Sequence, residues 1–148
     1  MKQFRNVLFL VITLMVYVNI CKAEETSIIL TKISDGDTIK ALVDGKEEKI
    51  RLLDIDCYET QKIPRAIWQS EYYHLSIGDV IKKGLYSKQR LEDLLKHHKE
   101  LTLKWNKRDK YKRILGEVYL DDGTSINKYM LEQGGCERYI DRHQSKWT

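Results

Sequence analysis

Hydrophobic and polar residues alternate from Ser27 onward, and three short runs carry the alternation. Ser27 to Ile33 is rich in β-branched residues, with Ile28, Ile29, Thr31 and Ile33. Asp37 to Val43 places Ile39, Ala41 and Val43 two apart, and Glu48 to Leu53 returns with Ile50 and Leu52. A period of two marks a strand with one buried face. Asp44-Gly45, a pair suited to tight turns, separates the second and third runs, so these two form a hairpin. Pairing of the first run with the second completes a three-stranded meander.

The next stretch, Asp54 to about Lys83, shows neither period. It holds Pro64, the one proline of the chain, and an aromatic cluster of Trp68, Tyr72 and Tyr73. It reads as a long irregular connection with room for a short helical turn. From Gly84 the pattern turns helical, with Leu91, Leu94 and Leu95 at i, i+3 and i+4. Leu101, Leu103 and Trp105 then alternate with Thr102 and Lys104 as a strand, Asn106 to Lys112 is a charged loop, and Ile114 to Leu120 is a further strand. After the turn at Asp121-Asp122-Gly123, Ile126, Tyr129 and Met130 form one face of a short helix that Gly134-Gly135 stops. Cys136 to Thr148 is polar and receives no element. The class predicted is α+β, mainly β: a five-stranded OB-type barrel with a helix inserted after strand 3 and a short C-terminal helix.

Ahead of the alternation, Lys2 and Arg5 precede an apolar run from Val7 to Ile20, and Ala23 is followed at once by Glu24-Glu25. Basic residues, an apolar stretch and a small residue in that order predict a signal peptide over residues 1–23, cleaved after Ala23, and a secreted or periplasmic product. The alternatives are an uncleaved anchor, for which the run falls short of the roughly 20 apolar residues of a spanning helix, and lipidation at Cys21, for which Asn19 and Ile20 are poor neighbours, so no membrane attachment is expected after cleavage. Charge then changes its meaning. Losing Lys2, Arg5 and Lys22 takes the basic count from 26 to 23 against 22 acids, leaving +1. A polyanionic partner must therefore be met by a local patch and not by overall charge. Residues 24–148 suffice for one domain with one core. Two cysteines remain there, Cys57 and Cys136; an exporting route permits a bond between them, and their spacing does not show that they meet. With no paired histidines near them they do not suggest zinc, and His97-His98, adjacent on the predicted helix and so pointing apart, are read as solvated.

Candidate chemistry gathers in three places. Asp35-Gly36-Asp37-Thr38 opens the second strand, Arg51 to Thr60 leaves the third, and Lys107 to Arg113 precedes the fifth. Each alone has a plain explanation as a turn, a solvated loop or a charged loop. Arg51 is the odd one, because an arginine in a half-buried strand requires an anionic partner. Together the clusters supply hard carboxylate oxygens, two arginines and a further carboxylate. Phosphodiester hydrolysis uses those parts: oxygen ligands for a hard cation, guanidinium forks for phosphate oxygens, and a carboxylate to activate water.

Asp-Gly-Asp-Thr, then Arg-Leu-Leu and Asp-x-x-Glu-Thr, then Asp-Lys-Tyr-x-Arg, then Asn127 to Gln133-Gly134 follow in one order. That series resembles the staphylococcal nuclease (thermonuclease) family over roughly Ile28 to Gly134. The resemblance implies a Ca²⁺-dependent nuclease that cleaves DNA and RNA with little sequence preference, leaves a 3′-phosphate, and works as a monomer without a stable protein partner. Asp37 and Asp56 would be the Ca²⁺ carboxylates, with the backbone oxygen of Cys57 as a third ligand and Asp35 as the acid that supports the metal's waters. Glu59 would be the general base, Arg51 and Arg113 the phosphate-binding pair, and Lys110 and Tyr111 contacts to a further phosphate.

The chain departs from the family pattern at Tyr58, where a small residue or proline is usual, across Trp68 to Ile81, and in its short tail after Gly134. Trp68, Tyr72 and Tyr73 either cover the barrel or stack on bases. Two other classes stay open at this point: a non-catalytic nucleic-acid-binding OB module, and a secreted interaction protein whose charges are merely solvated.

Overall fold

A computed structural model describes residues 24–140. The predicted signal peptide and residues 141–148 of the polar tail lie outside the described residues. The three alternating runs are β1 (Glu24–Asp35), β2 (Thr38–Val43) and β3 (Lys46–Leu52), joined as the predicted antiparallel meander. A two-residue β4 (Ile55–Asp56) follows, then helices α1 (Pro64–Tyr72) and α2 (Ile77–Leu95). Strands β5 (Glu100–Arg108) and β6 (Ile114–Tyr119), helix α3 (Ile126–Glu132) and a two-residue β7 (Glu137–Arg138) complete the order.

Five of the strands close into a barrel in the order β1-β2-β3-β6-β5. β1 is long enough to serve two neighbours, pairing with β2 through Ile28–Asp35 and with β5 through Glu24–Ile29. Closure comes from the one parallel contact, where Ile50, Arg51 and Leu52 face Ile114, Leu115 and Gly116. Alternation aims Ile28, Ile39, Ile50, Leu52, Leu103, Ile114 and Val118 inward, all buried, and Leu91, Ile126 and Met130 close the ends. Each such side chain stabilises the fold by about 1.5–3 kcal/mol relative to exposure. The architecture is therefore the expected five-stranded OB-type barrel, with helices between its third and fourth strands and a short helix near its end.

The connection is where expectation and structure differ. Residues 64–72 and 77–83, read as mostly irregular, are helical. Pro64 sits in the first turn of α1, where its missing N–H costs nothing. Ser76 caps α2: its Oγ accepts from the Asp79 amide at 3.0 Å and donates to the Asp79 carboxylate at 2.7 Å. The buried stripe of α2 is Val80, Gly84, Ser87, Leu91 and Leu95. Two of its members are small and not apolar, so the first half of the helix shows little hydrophobic period. β5 also runs on to Arg108 through a register shift at Trp105/Lys107, shortening the expected charged loop. His97 and His98 lie just past the helix and not on it; His98 faces Asp121 at 3.6 Å. Among the described residues no helix is long and apolar enough to cross a membrane.

Asn127 locks the barrel to its lid. Its Oδ1 accepts from the Val118 amide, and its Nδ2 donates to the carbonyls of Leu53 and Gly116, at 3.0–3.1 Å. One buried side chain thus fixes the end of β3, the middle of β6 and α3 at once.

Candidate functional site

The three sequence clusters converge only in part, at one mouth of the barrel. In β3, Ile50 and Leu52 point into the core, so Arg51 points out, and its neighbour in β2 is Thr38. That position sets its guanidinium between two acids. Nη1 lies 3.0 Å from Asp37 Oδ2 and Nη2 lies 3.1 Å from Asp56 Oδ1. Both carboxylates are nearly sealed from solvent, at 6% and 5% exposure. The anionic partner required of Arg51 is this pair.

Asp37 is held from three sides. Besides Arg51, the Cys57 amide donates to Oδ2 at 2.6 Å and the Thr38 hydroxyl to Oδ1 at 3.2 Å. Asp35 Oδ1 accepts from the Asp37 amide at 3.1 Å and so shapes the turn behind it. Gly36 lets this turn lie against Cys57; a Cβ there would be 2.8 Å from the Ser87 Cβ and 3.0 Å from the Cys57 sulfur. Burial is the largest influence on Asp37 and pushes its carboxyl up to about 8, with Arg51 and the Cys57 amide opposing and the Asp35 and Asp56 charges adding.

The loop after β4 is fixed by a bond that the sequence left open and by Gln69, which sequence reading missed. Cys57 is bonded to Cys136, Cα to Cα 4.2 Å, which ties the metal-loop candidate to the chain beyond α3. The β4–β7 pairing of Asp56 with Glu137 runs beside that bond. Gln69 of α1, buried, brackets the loop: Nε2 donates to the Cys57 carbonyl at 3.0 Å and Oε1 accepts from the Glu59 amide at 2.9 Å. This uses one lone pair of the Cys57 oxygen and leaves the other. Gly84 of α2 is also part of the mould, since a Cβ there would run into the Glu59 carbonyl and lie 2.6 Å from that of Tyr58. Tyr58, the departure from the family pattern, tucks its ring under α1 and α2 beside Tyr73 at 5.4 Å, and its hydroxyl donates to Glu137 at 3.3 Å. The tyrosine thus supports the loop.

Glu59 is half-buried, and its carboxyl is raised above the ordinary range. Burial is the main cause, then the Asp35 and Asp56 charges, against the opposing pull of Arg65 and Arg51. Arg65, at the start of α1, is a further residue that sequence reading passed over. It pairs with the second oxygen of Asp56 and lies over the Trp68 ring, 4.4 Å from its centroid. Trp68 in turn stacks on Tyr72 at 4.8 Å.

Arg113 makes its contacts apart from this cluster. It immediately precedes Ile114, the partner of Ile50, yet its Nε donates to Asp109 at 2.7 Å. The same carboxylate accepts from the amides of Tyr111 and Arg113, both at 2.9 Å, so Asp109 organises the whole loop. Lys110 and Tyr111 are at the exposed tip, with the Lys110 and Arg113 cations 5.1 and 5.5 Å from the Tyr111 ring centroid.

Among the described residues no three His, Cys, Asp or Glu side chains gather into a ready metal cage. The donors are nevertheless suited to a hard divalent cation. Asp35, Asp37, Asp56 and Glu59 share one electrostatic neighbourhood, in which Arg51 and Arg65 oppose them. Carboxyls there outnumber guanidiniums four to two, and their oxygens are the ligand type a hard divalent ion takes.

A closed OB-type barrel with buried paired acids gripped by an arginine at its mouth is a frame that serves several kinds of ligand. Residues 49–147 match the family described as staphylococcal nuclease homologue, and the chain belongs to that family. An "Uncharacterized endonuclease" of Escherichia coli is 30% identical over 110 residues, which cover 74% of this chain and 59% of that protein. "Endonuclease YncB" of Bacillus subtilis (strain 168) is 33% identical over 111 residues, covering 73% and 46%. "SPbeta prophage-derived endonuclease YokF" from the same strain is 34% identical over 114 residues, covering 75% and 33%. The chain spans from a third to three fifths of the length of these relatives.

Proposed function

We propose that residues 24–148 form a single exported, Ca²⁺-dependent nuclease domain that hydrolyses DNA and RNA with little sequence preference and leaves a 3′-phosphate. The observation that carries this reading is the burial of Asp37 and Asp56 on one guanidinium, in a cluster where Asp35 and Glu59 add two further carboxyls. Family membership supports hydrolysis. The Cys57–Cys136 bond supports an oxidising destination and hence the signal peptide over 1–23. The domain works as a monomer, with no membrane attachment after cleavage.

Asp37, Asp56 and the free lone pair of the Cys57 carbonyl would hold the cation, with Asp35 orienting its waters. Bound there, Ca²⁺ supplies charge neutralisation at the phosphate. Arg51 presents two donors in a fixed fork to phosphate oxygens. Arg113 joins it by exchanging Asp109 for substrate, a swap of one charge-assisted bond for another. Glu59, whose raised carboxyl makes it a stronger base, accepts the proton of the attacking water. Lys110 and Tyr111 extend the grip to a neighbouring phosphate.

A second reading, a non-catalytic nucleic-acid-binding module, is favoured by the completeness of the resting ion pairs. One assay separates the two. Purified protein is incubated with plasmid DNA and with single-stranded RNA, in Ca²⁺ or in excess chelator. Fragmentation of both only in Ca²⁺ is expected; binding without fragmentation in saturating Ca²⁺ selects the module.

A further inference from the structure

Arg65 is not among the phosphate-binding residues that the family motifs mark, and its surroundings set it apart from a simple ion-pair partner. It enters the site from α1, opposite Arg51, and takes the Asp56 oxygen that Arg51 does not. The two guanidiniums differ in what else holds them. Arg51 also bonds Asp37 and the Leu52 carbonyl, so it is fixed by three oxygens. Among the described residues Arg65 has one ionic partner, Asp56, and it rests over the face of Trp68. An aromatic face fixes a guanidinium in place without consuming its N–H donors, which project in the plane of the group. Trp68 is itself steadied by Tyr72.

Each Asp56 oxygen therefore accepts from one guanidinium and keeps a second lone pair, and a cation that takes this carboxylate repels both guanidiniums and weakens their hold. Arg65, with fewer anchors, is the one released, and it is released at the place where a phosphodiester would arrive. We propose that Arg65 is a third phosphate-binding guanidinium of this site, holding Asp56 in the free protein and turning to the nucleic acid backbone when a cation binds. The inference rests on the nuclease reading above. It also gives α1, the segment least like the family pattern, a direct part in substrate binding.

The test compares wild type, Arg65→Gln, Arg65→Lys and Trp68→Leu in the full protein. Ca²⁺ binding is followed by calorimetry. Binding of a fluorescent phosphorothioate oligothymidylate is followed by anisotropy in saturating Ca²⁺ across 50–200 mM salt. For Arg65→Gln the expected result is roughly tenfold weaker oligonucleotide binding and a log–log salt slope shallower by about 0.7, the loss of one single-strand phosphate contact. Its Ca²⁺ affinity should be unchanged or tighter, because a competitor for Asp56 has gone. Arg65→Lys should keep the wild-type salt slope and lose affinity with the fork, and Trp68→Leu should weaken oligonucleotide binding with Ca²⁺ affinity intact. If Arg65→Gln does not fold, Arg65→Lys carries the test, and wild-type affinity in that variant overturns the proposal. Weaker Ca²⁺ binding with an unaltered salt slope in Arg65→Gln also overturns it, showing that Arg65 only holds Asp56. A wild type that binds neither Ca²⁺ nor oligonucleotide would instead fail the nuclease reading itself.

Discussion

Removing the Cys57–Cys136 bond should damage the metal site and the fold together, and the size of the effect can be worked out. The bond closes a chain segment with a sequence separation of 79. In the chain-entropy account such a closure restricts the unfolded state by roughly 4.5 kcal/mol at 25 °C, near the top of the usual 2–5 kcal/mol for native disulfides of small exported domains. Spread over an unfolding entropy of about 2.1 cal/mol/K per residue for this size, the loss is a fall in Tm of roughly 10–20 °C. The site suffers in particular because the bond holds Cys57 in place, whose backbone amide donates to Asp37 and whose sulfur backs the turn at Gly36. The perturbation is Cys57→Ala/Cys136→Ala, chosen over chemical reduction because both sulfurs are buried. Thermal melts by circular dichroism, with and without Ca²⁺, give the readout. The double variant should melt far below wild type and gain less from added Ca²⁺. Equal melting temperatures, within about 3 °C, would refute the reasoning.

Three further outcomes follow from the site geometry. Arg51→Lys and Arg113→Lys should each lower kcat by roughly 10²–10³ while Tm moves little, because ammonium keeps the charge and loses the fork; near-normal turnover in either, or a fall explained by unfolding, counts against the pair. Gly84→Ala should push the Glu59 carbonyl outward, lowering both Tm and kcat, whereas the exposed Gly45→Ala, with nothing within 4 Å of its Cβ, should leave kcat unchanged; equal effects on kcat would argue against the mould. The raised Asp37 carboxyl, at about 8, means that Ca²⁺ binding displaces a proton below that pH. Apparent Ca²⁺ affinity should then rise with pH up to about 8 by as much as tenfold per unit, and the stability of the metal-free protein should fall over the same window, since the folded acid holds a proton that the unfolded one has lost. Calorimetry at pH 6, 7 and 8 checks both signs.

The barrel was legible because its strands obey a period of two that burial alone enforces: Ile39, Ala41, Val43, then Ile50, Leu52. The acids and Arg51 were legible because a buried arginine in a strand demands a partner, and the motif order supplied candidates. α1 and the first half of α2 were not legible from hydrophobic period. Their buried faces use Ala66, Gln69, Gly84 and Ser87, small or polar residues chosen to receive the backbone of the 57–59 loop. A local signal was nevertheless present, since Pro64 and the Ser76–Asp79 cap both announce helix starts. Arg65 and Gln69 were hidden by the same reading of the connection as irregular. The Cys57–Cys136 bond, bringing together residues 79 apart, depends on where α3 turns the chain back, which no spacing reveals.

The most direct test of the central claim is the rate of DNA cleavage as a function of Ca²⁺ for wild type and Asp56→Ala, with melting curves to confirm that both are folded. Asp56 touches Arg51 and Arg65 and would bind the cation, so the whole account meets at that carboxylate. Wild type should show a saturable Ca²⁺ dependence that excess chelator abolishes, and folded Asp56→Ala should be slower by roughly 10² or more with its Ca²⁺ requirement moved to higher concentration. Cleavage by wild type that persists in chelator, or a folded Asp56→Ala with the wild-type curve, would contradict it.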